Sequence, residues 1–164
     1  MFKRKSLFLI LLTLVIVSSV IFASGCGKDS TESSGNKEIS VDTKALATDI
    51  VAKVKFVSAM NEIDSELLDI NYTVEEGTTG VSYKAGGQFA DEVTIFTAKD
   101  EASAKKMLDN VKEYINEQKD TFSSYAPGEV AKLDKAIAMQ KGKYVVFCVT
   151  ADVENAKTII DKAF

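Results

Sequence analysis

A nearly continuous apolar run near the start decides how much of this chain is left to fold. Leu7 to Phe22 spans 16 residues, interrupted only by Thr13, Ser18 and Ser19. Lys3, Arg4 and Lys5 precede it, and Ala23-Ser24-Gly25-Cys26 closes it with small residues. A bilayer span needs about 20 apolar residues, so the run is short for an anchor and has the layout of an export signal. Positive charge holds the start on the cytoplasmic side while the apolar stretch enters the membrane. A retained single-pass anchor is the rival reading. Removal of residues 1–25 leaves 139 residues, one domain of ordinary size with enough chain to bury a core.

The tetrapeptide Ala23-Ser24-Gly25-Cys26 resembles the lipobox of bacterial lipoproteins, with Ala23 where that pattern has Leu. Small side chains at Ser24 and Gly25 admit the site to a protease, and the Cys26 thiol accepts a diacylglyceryl group. The resemblance implies lipidation at Cys26 and a protein held on the outer face of the cell membrane. Its acyl chains would contribute about 0.8 kcal/mol per buried methylene. Ordinary cleavage after Gly25 is the alternative. The only cysteines are Cys26 and Cys148. With Cys26 acylated, the fold has no disulfide to staple it and depends on its core.

The leader carries three basic residues and no acidic one, so the formal net charge of −4 becomes −7 without it. An acidic domain argues against nucleic acid and against a polybasic grip on anionic lipid. The single arginine, Arg4, leaves with the leader, and the chain has no His and no Trp.

Residues 26–40 read as the lipidated Cys26 and a flexible tether, because the segment is almost free of apolar groups. A globular domain then occupies residues 41–164. Asp42 begins a helix with Leu46, Ile50, Val54 and Val57 on one stripe. Asn61 to Asp69 reads as a turn and a short helix capped by Asp64, and Tyr72 to Val74 as a short strand. Val81–Lys84 and Glu92–Ala98 read as strands. Asp100 caps a long helix ending near Ser124, before Pro127, the only proline. Glu129 to Lys135 adds a helical turn. Ala136–Gln140 and Lys143–Thr150 are strands about a Lys141-Gly142 turn. Asp152 caps the last helix, with Ala156, Ile159, Ile160 and Ala163 inward.

A shift of 52 residues pairs Val93 with Val145, Asp100 with Asp152, Ala104 with Ala156 and Asp109 with Asp161. Any hairpin followed by a helix would show a similar pattern, and the match leans only slightly toward duplication. The expected fold is α+β: a single domain with an antiparallel four-stranded sheet in ββα-ββα order, preceded by an N-terminal helix. The economical arrangement puts both long helices on one face, over Val93, Ile95, Val145, Phe147 and Val149. Phe96, Val146 and Cys148 then point the other way and need cover, expected from the first helix. A dimer interface or a binding patch is the alternative.

From about Leu46 to Phe164 the domain resembles the DUF4358 lipoproteins of Gram-positive bacteria. The match is carried by Met60-Asn61-Glu62-Ile63-Asp64, by Tyr72, and by Glu92-Val93-Thr94-Ile95-Phe96 with Ala98-Lys99-Asp100. It continues through Gln118, Phe122, Tyr125, Pro127 and Gly142-Lys143-Tyr144-Val145. Tyr114 stands where a basic residue is frequent. The resemblance implies a tethered extracytoplasmic domain and carries over no activity, cofactor or catalytic residue.

No catalytic residue, cofactor or metal ligand emerges from the chemistry of the sequence. Nucleophilic catalysis lacks a His base, and Cys148 amid Val145, Val146, Phe147 and Val149 reads as a buried thiol. Zinc lacks ligands and calcium lacks an oxygen ladder. Glu75-Glu76, Asp91-Glu92 and Asp100-Glu101 read as solvated acids or caps. Tyr72, Gln118, Tyr125 and Pro127 form the expected interaction surface. Gln118 lies on the apolar stripe of the long helix, where a bond to a neighbouring loop and a ligand-facing amide are both open. The expectation is a non-catalytic binding or interaction module, anchored in the membrane through Cys26, whose partner is an unidentified envelope protein or ligand. The alternatives are an enzyme of cell-envelope polymers using a carboxylate such as Glu92, and a small-solute-binding lipoprotein.

Overall fold

Gly142, at φ +57°, turns the chain back after Lys141, and the two-residue link makes β4 (Ile137–Lys141) and β5 (Tyr144–Val149) pair antiparallel. A computed structural model describes residues 40–164 and adds β1 (Met60–Ile63), β2 (Thr79–Ala85) and β3 (Glu92–Thr97) to this hairpin. The five strands form one antiparallel sheet in the order β1-β2-β3-β5-β4. The helices are α1 (Thr43–Lys53), α2 (Leu68–Asn71), α3 (Glu101–Tyr125), α4 (Pro127–Leu133) and α5 (Val153–Ala163). The expected leader, the expected lipidation site Cys26 and the expected tether lie outside the described residues, apart from Ser40. No described helix is long and apolar enough to cross a membrane.

The fifth strand corrects the four-stranded expectation. Met60–Ile63 sits where the sequence reads as a turn, because four residues with apolar ends give no alternation to detect. Its strand character comes from pairing with β2, Met60 opposite Ala85 and Ile63 opposite Ser82. Tyr72 to Val74 forms no strand. Gly80 on β2 allows a close approach: a Cβ there would lie 2.7 Å from Leu68 Cδ1 and 2.9 Å from a Phe96 ring carbon. Even an alanine would force the Leu68 side chain and the Phe96 ring to shift.

The helices lie on opposite faces, which overturns the arrangement with both on one side. Residues directly opposite in an antiparallel pair share a face. Val93 is opposite Cys148 and Ile95 opposite Val146, whereas Phe96 is opposite Val145. One core therefore joins Val93, Ile95, Val146 and Cys148 to Leu46, Ala47 and Ile50 of α1 and Ala156 and Ile160 of α5. The other joins Phe96, Val145, Phe147 and Val149 to Met107, Val111, Tyr114, Ile115 and Phe122 of α3. The first helix, together with α5, does cover Val146 and Cys148, but Phe96, expected beside them, packs under α3 instead. Val93 and Val145, matched by the 52-residue shift, point to opposite faces, so the sequence repeat is not a symmetry of the sheet.

Capping follows the sequence at three sites and departs at a fourth. Asp64 accepts the Glu66 N–H at 3.1 Å at the head of a short helical turn, Ser65–Leu67. Asp42 accepts the Ala45 N–H at 2.9 Å and Asp100 the Ser103 N–H at 2.7 Å. Asp152 makes no cap bond to α5; its carboxylate accepts Lys55 N–H and Asn155 Nδ2 at 3.2 Å each. It therefore ties the chain leaving α1 to the start of α5. Helix α1 ends at Lys53, and Val57, expected on its apolar stripe, is exposed.

Candidate functional site

Two adjacent carboxylates open β3, and strand geometry sends them opposite ways. Glu92 points with Thr94 and Phe96 toward α3. Both of its oxygens are engaged: Tyr72 Oη donates to Oε1, Thr94 Oγ1 donates to Oε1 at 3.1 Å, and Tyr114 Oη donates to Oε2 at 3.0 Å. Ser82 Oγ lies 2.7 Å from Thr94 Oγ1 and donates to it, since Thr94 spends its own proton on Glu92. Lys84 supplies the opposite charge, its Nζ 3.3 Å from Glu92 Oε2 and 2.6 Å from Tyr114 Oη. Four elements meet here: Tyr72 follows α2, Ser82 and Lys84 lie on β2, Glu92 and Thr94 on β3, and Tyr114 on α3.

The cluster is buried except at Lys84. Glu92, Tyr72, Thr94, Ser82 and Tyr114 are buried, while the Lys84 side chain is partly exposed. Burial, reinforced by the Glu92 charge, pushes both tyrosine hydroxyls above their usual range. The two rings lie 4.4 Å apart, and Tyr72 meets Phe96 edge-on at 5.1 Å. Above the tyrosines opens a polar cleft of about 250 Å³, rimmed by Asp69, Glu113 and Glu117.

Asp91 points the other way and is sealed by α4. Its side chain is 0% exposed, and Lys132 Nζ bonds Oδ2 at 2.5 Å while also holding Glu129 Oε2 at 2.5 Å. Glu129 in turn accepts the Ala90 N–H at 2.8 Å. Burial alone would lower the Lys132 pKa, but hydrogen bonds to Asp91 and Glu129 outweigh it and hold the ammonium above its ordinary range. Asp91 Oδ1 has no hydrogen-bond partner among the described residues.

The expected surface residues do not form one surface. Tyr72 is 5% exposed with its hydroxyl turned to Glu92, so it belongs to the core. Gln118 is half-buried on α3, and its amide makes no hydrogen bond to another described residue. Tyr125 is 53% exposed, stacks at 5.2 Å on the buried Phe122, and is followed by exposed Pro127 at the α3–α4 junction. The expectation that Asp91 and Glu92 are solvated is likewise corrected, since both are buried. The signal was available: two acids open a strand that is otherwise apolar or β-branched. Lys84 and Lys132 carry no such signal, and Tyr114 stands out in the sequence only as a departure from the family pattern, because their roles come from tertiary neighbours.

Cys148 is buried, and desolvation, with the charges of Asp91 and Glu92, pushes its thiol up to about 12. Native protein should therefore resist a thiol reagent at pH 8 until denatured, and rapid native labelling would contradict the burial. The raised value also sets a pH sense. The unfolded thiol ionises near its ordinary 9, so this contribution to stability is complete below pH 9 and is lost as pH rises toward 12.

No group of three or more Cys, Asp or Glu side chains among the described residues is arranged to hold a metal ion. No curated protein and no solved structure matches the chain. Residues 52–150, more than half of the chain and including both carboxylate clusters, match the family described as domain of unknown function. The chain belongs to that family, DUF4358.

Proposed function

We propose that this chain is a lipoprotein anchored through Cys26 on the outer face of the cell membrane, and that its domain is a non-catalytic interaction module. The observation that carries the second half is the state of Glu92. A general acid or base must reach a substrate proton, and here both carboxylate oxygens are already taken by Tyr72, Thr94 and Tyr114. An enzyme of envelope polymers built on Glu92 would first have to dismantle that network. The exposed ring of Tyr125 beside Pro127 supports a contact role, because its stacking on Phe122 holds it rigid at little entropic cost. The lipid would confine this surface near envelope partners and raise their effective concentration.

The experiment is photo-crosslinking from Tyr125 in intact cells, with Cys26→Ala in parallel. The expected result is one reproducible trapped protein, and release or accumulation of unprocessed chain in the Cys26 variant. Turnover of a cell-wall fragment that is abolished by Glu92→Gln would refute the module. An unmodified Cys26 in the mature protein would refute the anchor.

A further inference from the structure

A two-residue turn fixes which backbone groups of β4 look outward. Lys141 and Tyr144 flank the turn as the hydrogen-bonded pair. Met139 and Ile137 then bond to β5 in turn, while Ala138 and Gln140 direct N–H and C=O to the free edge. No described group bonds to those outward atoms. Proteins normally defend such an edge with charge, proline, a bulge or a covering element. The other edge strand, β1, carries Glu62 paired to Lys44. The middle of β4, Ala138-Met139-Gln140, has none of these defences.

Alongside this edge runs a groove of about 260 Å³ between β4 and α3. Its exposed lining is mainly polar, with Lys112, Asn116 and Lys119 on the helix wall and Asp134 beside them, over the largely buried Ile115 and Leu133 and the small Ala136 and Ala138. Lys105 continues the same row at seven-residue spacing. The described residues hold 15 basic and 21 acidic side chains, so this cationic row runs against the sign of the domain. The partners present, Asp109 for Lys112 at 3.2 Å and Asp134 for Lys119 at 2.8 Å, are surface pairs that exchange at little cost.

We infer that the β4 edge and its groove bind an extended, acidic peptide segment of a partner protein by strand addition. The reading rests on the domain being an interaction module. The peptide backbone would bond Ala138 and Gln140. Alternate side chains would turn toward α3, where their carboxylates would meet Lys112 and Lys119, and the intervening apolar side chains would turn to the opposite face of the sheet, beside Met139. The small side chains of Ala136 and Ala138 leave room beside the edge for that second strand. A second copy of this chain fits less well, because an antiparallel β4–β4 pair would bring together two copies of the same lysine row.

The test uses the full chain in detergent and two probes of alternating sequence, one of Glu and Val, the other of Lys and Val. The Glu–Val peptide should bind, shift the Ala138 and Gln140 amide signals, and weaken with salt; the Lys–Val peptide should not bind. Ala138→Pro deletes one outward N–H and spares the β4–β5 ladder, and should weaken binding about tenfold or more. The double variant Lys112→Glu, Lys119→Glu should reverse the preference. N-methylation of alternate peptide amides gives the same test without touching the fold, and should abolish binding. Equal affinity for the two probes, no binding at millimolar peptide, or indifference to N-methylation would overturn the inference. A partner still trapped from Tyr125 in cells would then leave the broader module reading standing.

Discussion

Glu92→Ala should destabilise the domain by roughly 3–5 kcal/mol, the range for breaking a buried charge pair by removing one partner. The deletion strands more than the Lys84 ammonium. Tyr72 and Tyr114 would keep buried hydroxyls whose acceptor is gone, and Thr94 would lose the acceptor for its proton. Each orphaned buried group adds a desolvation cost of about 1–3 kcal/mol unless it finds a new partner or water. Equilibrium urea unfolding at pH 7 measures the loss as a lower midpoint with an unchanged slope. The combined variant Glu92→Leu, Tyr72→Phe, Tyr114→Phe, Lys84→Met removes every charged group of the cluster and both phenols, and should recover much of the stability. A Glu92→Ala protein as stable as the parent would show that the network contributes nothing to folding. It would also reopen the case for Glu92 as a reacting group.

The sequence made the order of elements legible because the relevant signals are local. Asp42 and Asp100 cap helices where the spacing placed them, and Gly142 makes the expected hairpin. What it could not convey depended on pairing. Strand β5 is apolar on both sides, and β3 carries Phe96 on the side away from Val93 and Ile95, so alternation alone leaves two ways of matching their faces. The register that puts Val93 opposite Cys148 selects the one that separates α3 from α5. Strand β1 escaped for a related reason, since its only credential is its partner. Among the candidate site residues, Tyr125 and Pro127 are exposed as a surface role requires. Tyr72 is not, because an aromatic ring that follows a short helix gives no sequence signal of which way its hydroxyl turns. The buried state of Asp91 and Glu92 was hidden by a sound generalisation about acids. It fails here because Lys84 and Lys132 reach in from β2 and α4.

Lys132→Met should produce a loss of similar size, about 3–5 kcal/mol, through a different route. Asp91 has no exposed side-chain surface, and one of its oxygens already lacks a hydrogen bond among the described residues. Lys132 is the group that pairs its other oxygen, and the same ammonium holds Glu129 against the Ala90 amide. Methionine keeps the length and packing of the side chain and removes only the charge, which leaves a carboxylate in a dry site with nothing to balance it. Adding Asp91→Leu to Lys132→Met removes the unpaired carboxylate and should restore most of the stability. Thermal unfolding of parent, single and double variants at pH 7 measures both effects. A double variant no more stable than the single one would mean that Lys132 contributes through packing alone. The link from α4 to the start of β3 would then not be electrostatic.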